Sequence, residues 1–340
     1  MKIAIDAREA FKANKAGKGQ WTAGFLRELQ TRDLDVTVLN DDSFKSGLRW
    51  HFAAAKKMNT ENFDVYISPT SFIVPHILEP RVACIPIIHD LIAFKKEPHE
   101  RKAKFIEKLL IKDVTDKAAH ICTVSETTKS DLIKKFPKLN AENITTIYAG
   151  PMQPNVKPNK PDGRTILCVG TLCPRKNQLR LIKAYASLPE HLRRDYRLLI
   201  VGSRGWHDSE IIKFAQQTKG VEWRDYVPDA EYQTLLKTAT ILAFPSLYEG
   251  FGMQVLDALQ RGIPVLTSDR GSLGEVVGSA AVTIDPESEK SIADGITSLL
   301  ENNDLYDQMV EAGPTQAAQF SWKRTVDLFL EAMEKAVQST

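Results

Sequence analysis

The chain has 340 residues, of which 43% are hydrophobic and 26% are charged, and its formal net charge is +2. This length is long for one domain and sufficient for two domains that each bury a core. The composition is that of an ordinary soluble globular protein, and the longest mostly apolar run, residues 82–94, is too short to span a bilayer.

Strands and helices alternate along the first half of the chain. Strands are predicted over 2–7, 35–40, 64–68, 82–89, 120–124 and 144–148. Helices are predicted over 19–32, 44–58, 100–118 and 126–136. This alternation predicts parallel strands joined by crossover helices, a doubly wound α/β domain.

Four prolines between residues 151 and 161 predict an extended linker, after which the same rhythm returns. Strands are predicted over 165–170, 197–202, 221–227, 241–244, 264–268 and 281–284. Helices are predicted over 178–188, 209–218, 231–238, 253–261, 289–302, 305–319 and 322–337. We therefore expect a first domain over 1–150, a linker over 151–163, a second domain over 164–320 and a terminal helix over 321–340.

The most informative stretch runs from the strand over 241–244 into the helix that begins at residue 253. The turn between them places an acid at its tip and two glycines around an aromatic residue. The residues are Glu249, Gly250, Phe251, Gly252 and Met253. The first amides of such a helix have no internal partners and suit oxygen-rich or anionic ligands. The glycines let a ligand approach the backbone closely.

A second acid, Asp257, follows Glu249 by eight residues. Eight residues of helix span about 12 Å, so the two carboxylates cannot share one substrate atom. They are better placed to hold two ends of an extended ligand, such as the sugar and the ribose of a nucleotide-sugar. For either acid alone, a solvated surface position is the alternative.

The sequence Glu-Gly-Phe-Gly-Met-x-Val-Leu-Asp-Ala-Leu resembles the donor-site motif of retaining GT-B glycosyltransferases of family 4. In that family two acids with seven residues between them flank the turn, and here Asp257 stands where a second glutamate is usual. The resemblance covers nearly the whole chain. It implies two Rossmann-like domains that face a cleft, ligands at the carboxyl ends of the strands, and a last helix that crosses back to the first domain.

Two adjacent cations, Arg175 and Lys176, follow the first strand of the second half, which ends at Gly170. Together they can neutralise a diphosphate leaving group. The alternative is a pair of solvated side chains, but positive charge is unfavourable at a helix start, so the pair favours function. The segment is similar to the family's Arg-Lys-Asn stretch, in which the basic pair holds the donor diphosphate. The immediate spacing resembles the mannosyltransferase branch.

His89 and Asp90 end the strand over 82–89. A histidine there is commonly a hydrogen-bonded structural residue. The family resemblance instead implies that His89 lies beside the donor sugar, and that Asp90 orients either His89 or the acceptor.

Other predicted donor contacts come from loops at strand ends. The resemblance assigns Gly17 and Gly19 to a glycine loop near phosphate or sugar, and places the loops at Gly202 and at Tyr226 and Val227 beside the nucleotide base. Plain turns are close alternatives at each of these positions.

Three further motifs are interpreted as structural. Ser125 is predicted to cap a helix, and Glu275 to cap one rather than to touch a ligand. Asp33-Leu-Asp35 matches a metal-binding motif of other transferases but is interpreted as a solvated turn. No divalent metal is therefore expected, because the two cations are available for the diphosphate.

Charge is unevenly distributed along the chain. Residues 1–160 hold 26 Lys and Arg against 19 Asp and Glu, whereas 161–340 hold 19 against 24. A basic first half fits peripheral contact with an anionic membrane or with a phosphate-bearing acceptor, and equally ordinary surface charge. The four cysteines form no metal motif, and the first residues form a strand without a signal-peptide core, so a cytoplasmic protein with reduced, buried thiols is expected.

These observations predict a retaining hexosyltransferase, with mannose as the favoured sugar. It uses no cofactor and no nucleic acid. Its donor is a nucleotide-diphospho-sugar (GDP-mannose, or alternatively a UDP-sugar), and its acceptor is a hydroxyl of a glycan or lipid-linked molecule. The alternatives are a sugar phosphorylase or epimerase on the same plan, and a nucleotide-sugar-binding protein without turnover. An NAD(P)-dependent oxidoreductase is disfavoured because no GxGxxG follows the first strand of either half.

Overall fold

The computed structural model describes residues 1–44, 47–96, 101–154, 156–158 and 163–338, with the backbone alone at 101–103. The chain divides into two units. The first comprises Met1–Met152 and Phe320–Thr340, and the second comprises Gln153–Gln319.

The first unit is built on a six-stranded parallel sheet with the order β2-β1-β3-β4-β5-β6. Its strands are β1 (Lys2–Asp6), β2 (Asp35–Leu39), β3 (Val65–Ser68), β4 (Ala83–Ile88), β5 (Ile121–Thr123) and β6 (Ile144–Thr146). Its helices are α1 (Arg8–Phe11), α2 (Gly17–Leu29), α3 (Leu48–Thr60), α4 (Ile73–Ile77), α5 (Arg101–Lys117) and α6 (Glu126–Lys135). β3 and β4 are buried along their whole length, as continuous apolar runs in a covered parallel sheet must be.

The second unit has a parallel sheet of the same size with the order β12-β11-β10-β7-β8-β9. Its strands are β7 (Thr165–Val169), β8 (Arg197–Val201), β9 (Val221–Arg224), β10 (Ala239–Phe244), β11 (Val265–Thr267) and β12 (Val282–Thr283). Its helices are α7 (Gln178–Ala186), α8 (Glu190–Asp195), α9 (Ser209–Gln217), α10 (Asp229–Thr238), α11 (Met253–Gln260), α12 (Leu273–Val277), α13 (Glu289–Glu301) and α14 (Asn303–Ala317). The strand order reverses at β7, which lies between β8 and β10.

The predicted α/β class with parallel strands is confirmed in both halves. Four helices of four to six residues, α1, α4, α8 and α12, were not predicted, because so short a segment shows no helical periodicity. The helix predicted over 44–58 begins only at Leu48, after Gly47 with φ +72°. Ser125 caps α6 as predicted, since its hydroxyl accepts a hydrogen bond of 3.0 Å from the Thr128 amide. All four cysteines are free and buried, as predicted.

The last helix, α15 (Trp322–Gln338), belongs to the first unit and packs on α2, β4 and β6. Trp322 at its start is buried, and its indole N–H donates a hydrogen bond of 2.8 Å to the Pro151 carbonyl. Its ring fills the space beside two glycines. A Cβ atom on Gly24 would lie 2.2 Å from the ring, and one on Gly150 would lie 2.5 Å from the Trp322 amide nitrogen. Among the described residues, no helix is long and apolar enough to cross a membrane.

We expect Gly24→Ala to destabilise the first unit by about 1–3 kcal/mol, which is the usual cost of overpacking a core. At an open helix position, glycine to alanine raises the free energy of unfolding by about 1 kcal/mol. A decrease in Gly24→Ala therefore reports the contact with Trp322. Gly17→Ala is the matched control, because a Cβ there meets nothing within 4 Å. Thermal unfolding of both variants is the measurement. Equal Tm values for Gly24→Ala and Gly17→Ala would contradict the packing described here.

Candidate active site

Several of the predicted donor residues lie where the order of the second sheet reverses, at the carboxyl ends of β7, β8 and β10. Such a switch point is where open parallel sheets bind ligands. Gly170 follows β7 and Gly202 follows β8. A Cβ on Gly202 would lie 2.2 Å from the Gly170 carbonyl oxygen, and Gly202 has φ +154°. Only glycine fits at position 202, and it keeps the two loops in contact.

The turn that carries the two cations is attached to the end of β10. Asn177 adopts the left-handed conformation at φ +63°, which asparagine tolerates better than most residues. Its side-chain nitrogen Nδ2 donates hydrogen bonds of 3.0 Å to the Pro245 carbonyl and 2.6 Å to the Pro286 carbonyl. The Leu247 amide in turn donates to the Arg175 carbonyl at 2.9 Å. The position of the cations is therefore set by the backbone of the loops after β10 and β12.

The two predicted cations meet the predicted acid directly. Arg175 Nη1 lies 2.9 Å from Glu249 Oε2, and Lys176 Nζ lies 2.7 Å from Glu249 Oε1. Arg175 Nη1 also donates to the Tyr248 carbonyl at 2.7 Å, and Lys176 Nζ lies 4.4 Å from the centroid of the Phe244 ring. The side chain of Lys176 is 12% exposed and that of Glu249 is 10% exposed. The structure thus brings together the basic pair and the glycine turn that the sequence singled out.

Burial by itself would raise the pKa of Glu249, but the opposing charges of Arg175 and Lys176 outweigh it. The pKa falls from 4.5 to about 2. Glu249 is consequently a carboxylate at every pH at which the protein would work. Each of its oxygens contacts one cation, which leaves further lone pairs to accept hydroxyl groups.

The glycine turn is braced by Ser272, which the sequence did not single out as a contact residue. The Ser272 amide donates to the Glu249 carbonyl at 3.0 Å, and its hydroxyl lies 3.1 Å and 3.0 Å from the carbonyl oxygens of Glu249 and Phe251. Gly252 follows at φ +104°, a conformation that favours glycine, and α11 then begins at Met253. The first amides of α11 have no acceptor within the helix.

Asp257 lies on α11 in a buried polar cluster. Its Oδ2 accepts a hydrogen bond of 3.1 Å from the Tyr232 hydroxyl, and the charge of Arg261 acts on it. Arg261 also donates to Gln233. Asp257 is only 2% exposed, so its carboxylate is held by protein groups, and the ribose contact stays a prediction.

The predicted nucleotide-base loop follows β9. Its Tyr226 amide donates to Asp225 Oδ1 at 2.6 Å, and Tyr226 and Val227 are both half-buried. Their contact with a nucleotide base remains a prediction.

The other predicted site residues belong to the first unit. His89 follows β4 and is buried, and its Nε2 lies 2.8 Å from the Pro69 carbonyl. Since a carbonyl only accepts, Nε2 carries the proton. Burial and the charge of Lys18 lower the pKa of His89 to about 3, so the imidazole is neutral. Asp90 Oδ1 accepts from the Ile92 amide at 3.0 Å.

The predicted glycine loop leads into α2, which starts at Gly17, with Gly19 in its first turn. Gly17 is exposed, whereas a Cβ on Gly19 would lie 2.5 Å from the Glu9 carbonyl oxygen. Gly19 thus has a packing reason to be glycine, independent of any ligand. Asp33 and Asp35 are exposed at the start of β2, as the interpretation of a solvated turn requires.

We expect Glu249→Gln to destabilise the second unit by about 3 kcal/mol at pH 7, because it leaves two largely buried cations without a counter-charge. A folded-state pKa below 4.5 means that ionisation of Glu249 adds stability above pH 4.5, and that this stability is lost as the pH falls through about 2. The difference in unfolding free energy between wild type and variant should therefore shrink towards pH 2.

Asp294→Asn is the matched control, because the Lys290–Asp294 pair is 83% and 61% exposed and contributes at most about 1 kcal/mol. Urea unfolding between pH 3 and pH 7 measures both variants. An equal loss of stability in the two would contradict a buried ion-pair triad.

Comparisons with known proteins agree with this geometry. The family model for "Glycosyl transferases group 1" matches residues 151–316. The chain is 31% identical over 276 residues to the O-antigen chain mannosyltransferase B of Escherichia coli, an alignment that covers 76% of this chain and 71% of that protein.

Two solved structures share the fold over nearly their whole length. Sucrose-phosphate synthase from Thermosynechococcus elongatus superimposes with a TM-score of 0.81 at 14% identity and 100% coverage of both chains. Anabaena Alr3699/HepE, solved in complex with UDP and glucose, superimposes with a TM-score of 0.78 at 17% identity over 98% of this chain and 99% of that one. These likenesses establish the GT-B fold. The chain belongs to the glycosyl transferases of group 1 and is a glycosyltransferase related to the mannosyltransferases of O-antigen synthesis.

Proposed function

We propose that this glycosyltransferase transfers mannose, with retention of configuration, from a nucleotide-diphospho-mannose to a hydroxyl of a glycan or lipid-linked acceptor. GDP-mannose is the favoured donor. The observation that carries the proposal is the contact of Arg175 and Lys176 with Glu249 beside the start of α11. The relationship to an O-antigen mannosyltransferase supports mannose as the sugar.

The charges in this triad suggest how the reaction would be accelerated. When the donor breaks at its anomeric carbon, negative charge develops on the departing diphosphate, and Arg175 and Lys176 stabilise it. Because Glu249 and the backbone already fix both cations, little reorganisation accompanies the reaction. The lone pairs of Glu249 that the cations leave unused accept hydroxyl groups of the sugar. Two protein cations supply the charge, so the proposal includes no metal ion and no cofactor.

The remaining predicted contacts complete the proposed donor site. Asp257 steadies the ribose, and Tyr226 with Val227 lies beside the base. The first amides of α11 and its preceding glycines face the sugar. The acceptor binds to the first unit, where His89 and Asp90 follow β4.

We expect Lys176→Met to lower kcat/KM for mannosyl transfer by about 100-fold or more, which is the usual cost of removing one preorganised group at the developing charge. Lys290→Met is the matched control, because it removes an equal charge from an exposed position of the same unit. Release of nucleotide from GDP-mannose, with and without acceptor, is the measurement, and circular dichroism checks folding. A loss within threefold of the control would contradict the assigned role.

The same assay with UDP-glucose and UDP-galactose tests the choice of donor. Faster turnover of a UDP-sugar would replace GDP-mannose in the proposal and leave the transferase mechanism in place. Phosphate-dependent cleavage, isomerisation of the sugar, or binding without turnover would each overturn it.

The proposal also places the enzyme in the cytoplasm, in peripheral contact with an anionic membrane through the first unit. Large apolar side chains are exposed on helices that follow the carboxyl ends of strands there. They are Leu48 (66% exposed) and Phe52 (59%) on α3, and Phe105 (68%) and Leu109 (65%) on α5. On α5, Lys108 lies between Phe105 and Leu109 in the sequence and Lys112 follows them, and both lysines are exposed. Apolar side chains combined with lysines suit a helix that lies on an anionic lipid surface.

We expect Phe105→Ser with Leu109→Ser to weaken binding to vesicles with 30% anionic lipid by at least tenfold, because each apolar side chain contributes about 1.5–3 kcal/mol when buried. Val337→Ser is the control, since Val337 is an exposed apolar residue (40%) on α15 of the same unit. Co-sedimentation at low and high salt is the measurement. No binding by wild type, or equal binding by all three proteins, would contradict membrane contact through α5.

A further inference from the structure

Glu107, in the middle of α5, is a buried acid. Its exposed fraction is 7%. Its Oε1 is a buried atom that lacks a hydrogen-bond partner. On the same helix, Ile111 and Val114 are buried as an amphipathic pattern requires, so a carboxyl group occupies a position where an apolar residue would serve the fold.

Three other polar groups lie near this carboxyl. Burial and the negative charge of Asp90 together raise the pKa of Glu107 to about 7, against the opposing positive charge of Lys18. Lys18 and Asp90 also act on the pKa of His89. Packing brings these groups together in one cluster at the carboxyl end of β4 and the start of α2, because the ring of Trp21 on α2 contacts the ring of His89, and α5 packs on the turn over 92–94 that follows Asp90.

The cluster is poorly explained as a part of the folding core. A buried carboxyl without a hydrogen bond costs stability, and a second carboxylate nearby increases that cost. Trp21, one turn after Lys18, adds a second unsatisfied polar atom. It is 1% exposed, its indole nitrogen has no hydrogen-bond partner, and its ring meets the His89 ring edge to face at 5.3 Å between centroids. Groups left unsatisfied in this way are expected where a ligand supplies the missing partners.

We propose that Glu107 and Asp90 form a hydroxyl-binding pair that recognises the sugar acceptor in the first unit. This inference rests on the proposed function for the identity of its ligand. Each carboxylate accepts hydrogen bonds and donates none, which suits neighbouring hydroxyl groups of a saccharide. Lys18 offsets the negative charge of the pair, and the imidazole of His89, the residue before Asp90, is neutral.

The pair makes acceptor binding depend on pH. Hydroxyl groups donate to the ionised form of Glu107, so the acceptor binds that form better, and the KM for the acceptor falls as the pH rises through about 7. Among the described residues, the charged groups that act on Glu107 are Asp90 from the turn after β4 and Lys18 from α2.

The experiment uses the full chain with GDP-mannose as donor and methyl α-mannoside as acceptor. We expect Glu107→Gln to raise the acceptor KM at least tenfold and to abolish its pH dependence, while hydrolysis of GDP-mannose without acceptor stays within twofold of wild type. Asp116→Asn is the control, because Asp116 is an exposed acid on the same helix. Glu107→Leu should raise the acceptor KM similarly while leaving Tm unchanged or higher.

The outcomes separate this inference from the proposed function. Two results for Glu107→Gln would overturn the hydroxyl-binding pair. One is an acceptor KM within twofold of wild type, and the other is a loss of donor hydrolysis as large as the rise in the acceptor KM. A lower Tm in both Glu107 variants would instead assign Glu107 to the fold. If wild type does not turn over GDP-mannose, saturation-transfer NMR with methyl α-mannoside still decides, since loss of the signal in Glu107→Gln supports the pair and its retention contradicts it.

Discussion

The second unit depends on one buried ion-pair triad, in which the carboxylate of Glu249 lies between the side chains of Arg175 and Lys176. Two cations this close together at the end of a strand would repel each other and could not be buried without the carboxylate. The Glu249 carboxylate therefore holds the two cations in place before a substrate arrives. It also offsets the repulsion between them, which would otherwise destabilise the turn that carries them. The backbone around this triad is held by two kinds of residue. They are the glycines at 170, 202 and 252, which permit close approach or a positive φ, and the side chains of Asn177 and Ser272, which donate to backbone carbonyls.

Much of this arrangement was predictable from the sequence, because it is encoded locally. The strand, turn and helix around Glu249 each have a short-range signature, and the basic pair directly follows a strand. The parallel direction of the strands also follows from the alternation of strands and helices. The residues that fix the geometry were harder to find. The left-handed conformation of Asn177 had a signal in its residue type, whereas the bond from Ser272 to the turn joins residues more than twenty positions apart.

The first unit was less predictable, for a physical reason. Glu107 carries no motif, and its sequence position within α5 looks like that of any solvated helix acid. Its burial arises from packing of α5 against β4 and its neighbours, which no local pattern reports. Likewise, the environment of Asp257 depends on Tyr232, which lies on a different helix. Burial of charged side chains is a tertiary property, so the sequence singled out Asp257 without showing its burial and did not single out Glu107.

The return of α15 to the first unit has a consequence for biosynthesis. The second unit is one continuous segment, Gln153–Gln319, whereas the first unit needs residues from both ends of the chain. During translation the second unit can complete its core while the first still lacks Trp322 against Gly24 and Gly150. Part of α2 in the amino-terminal unit therefore stays uncovered until α15 has been synthesised. A chaperone that binds exposed apolar surface on the nascent chain would therefore find it in the amino-terminal unit, although that part of the chain is synthesised first.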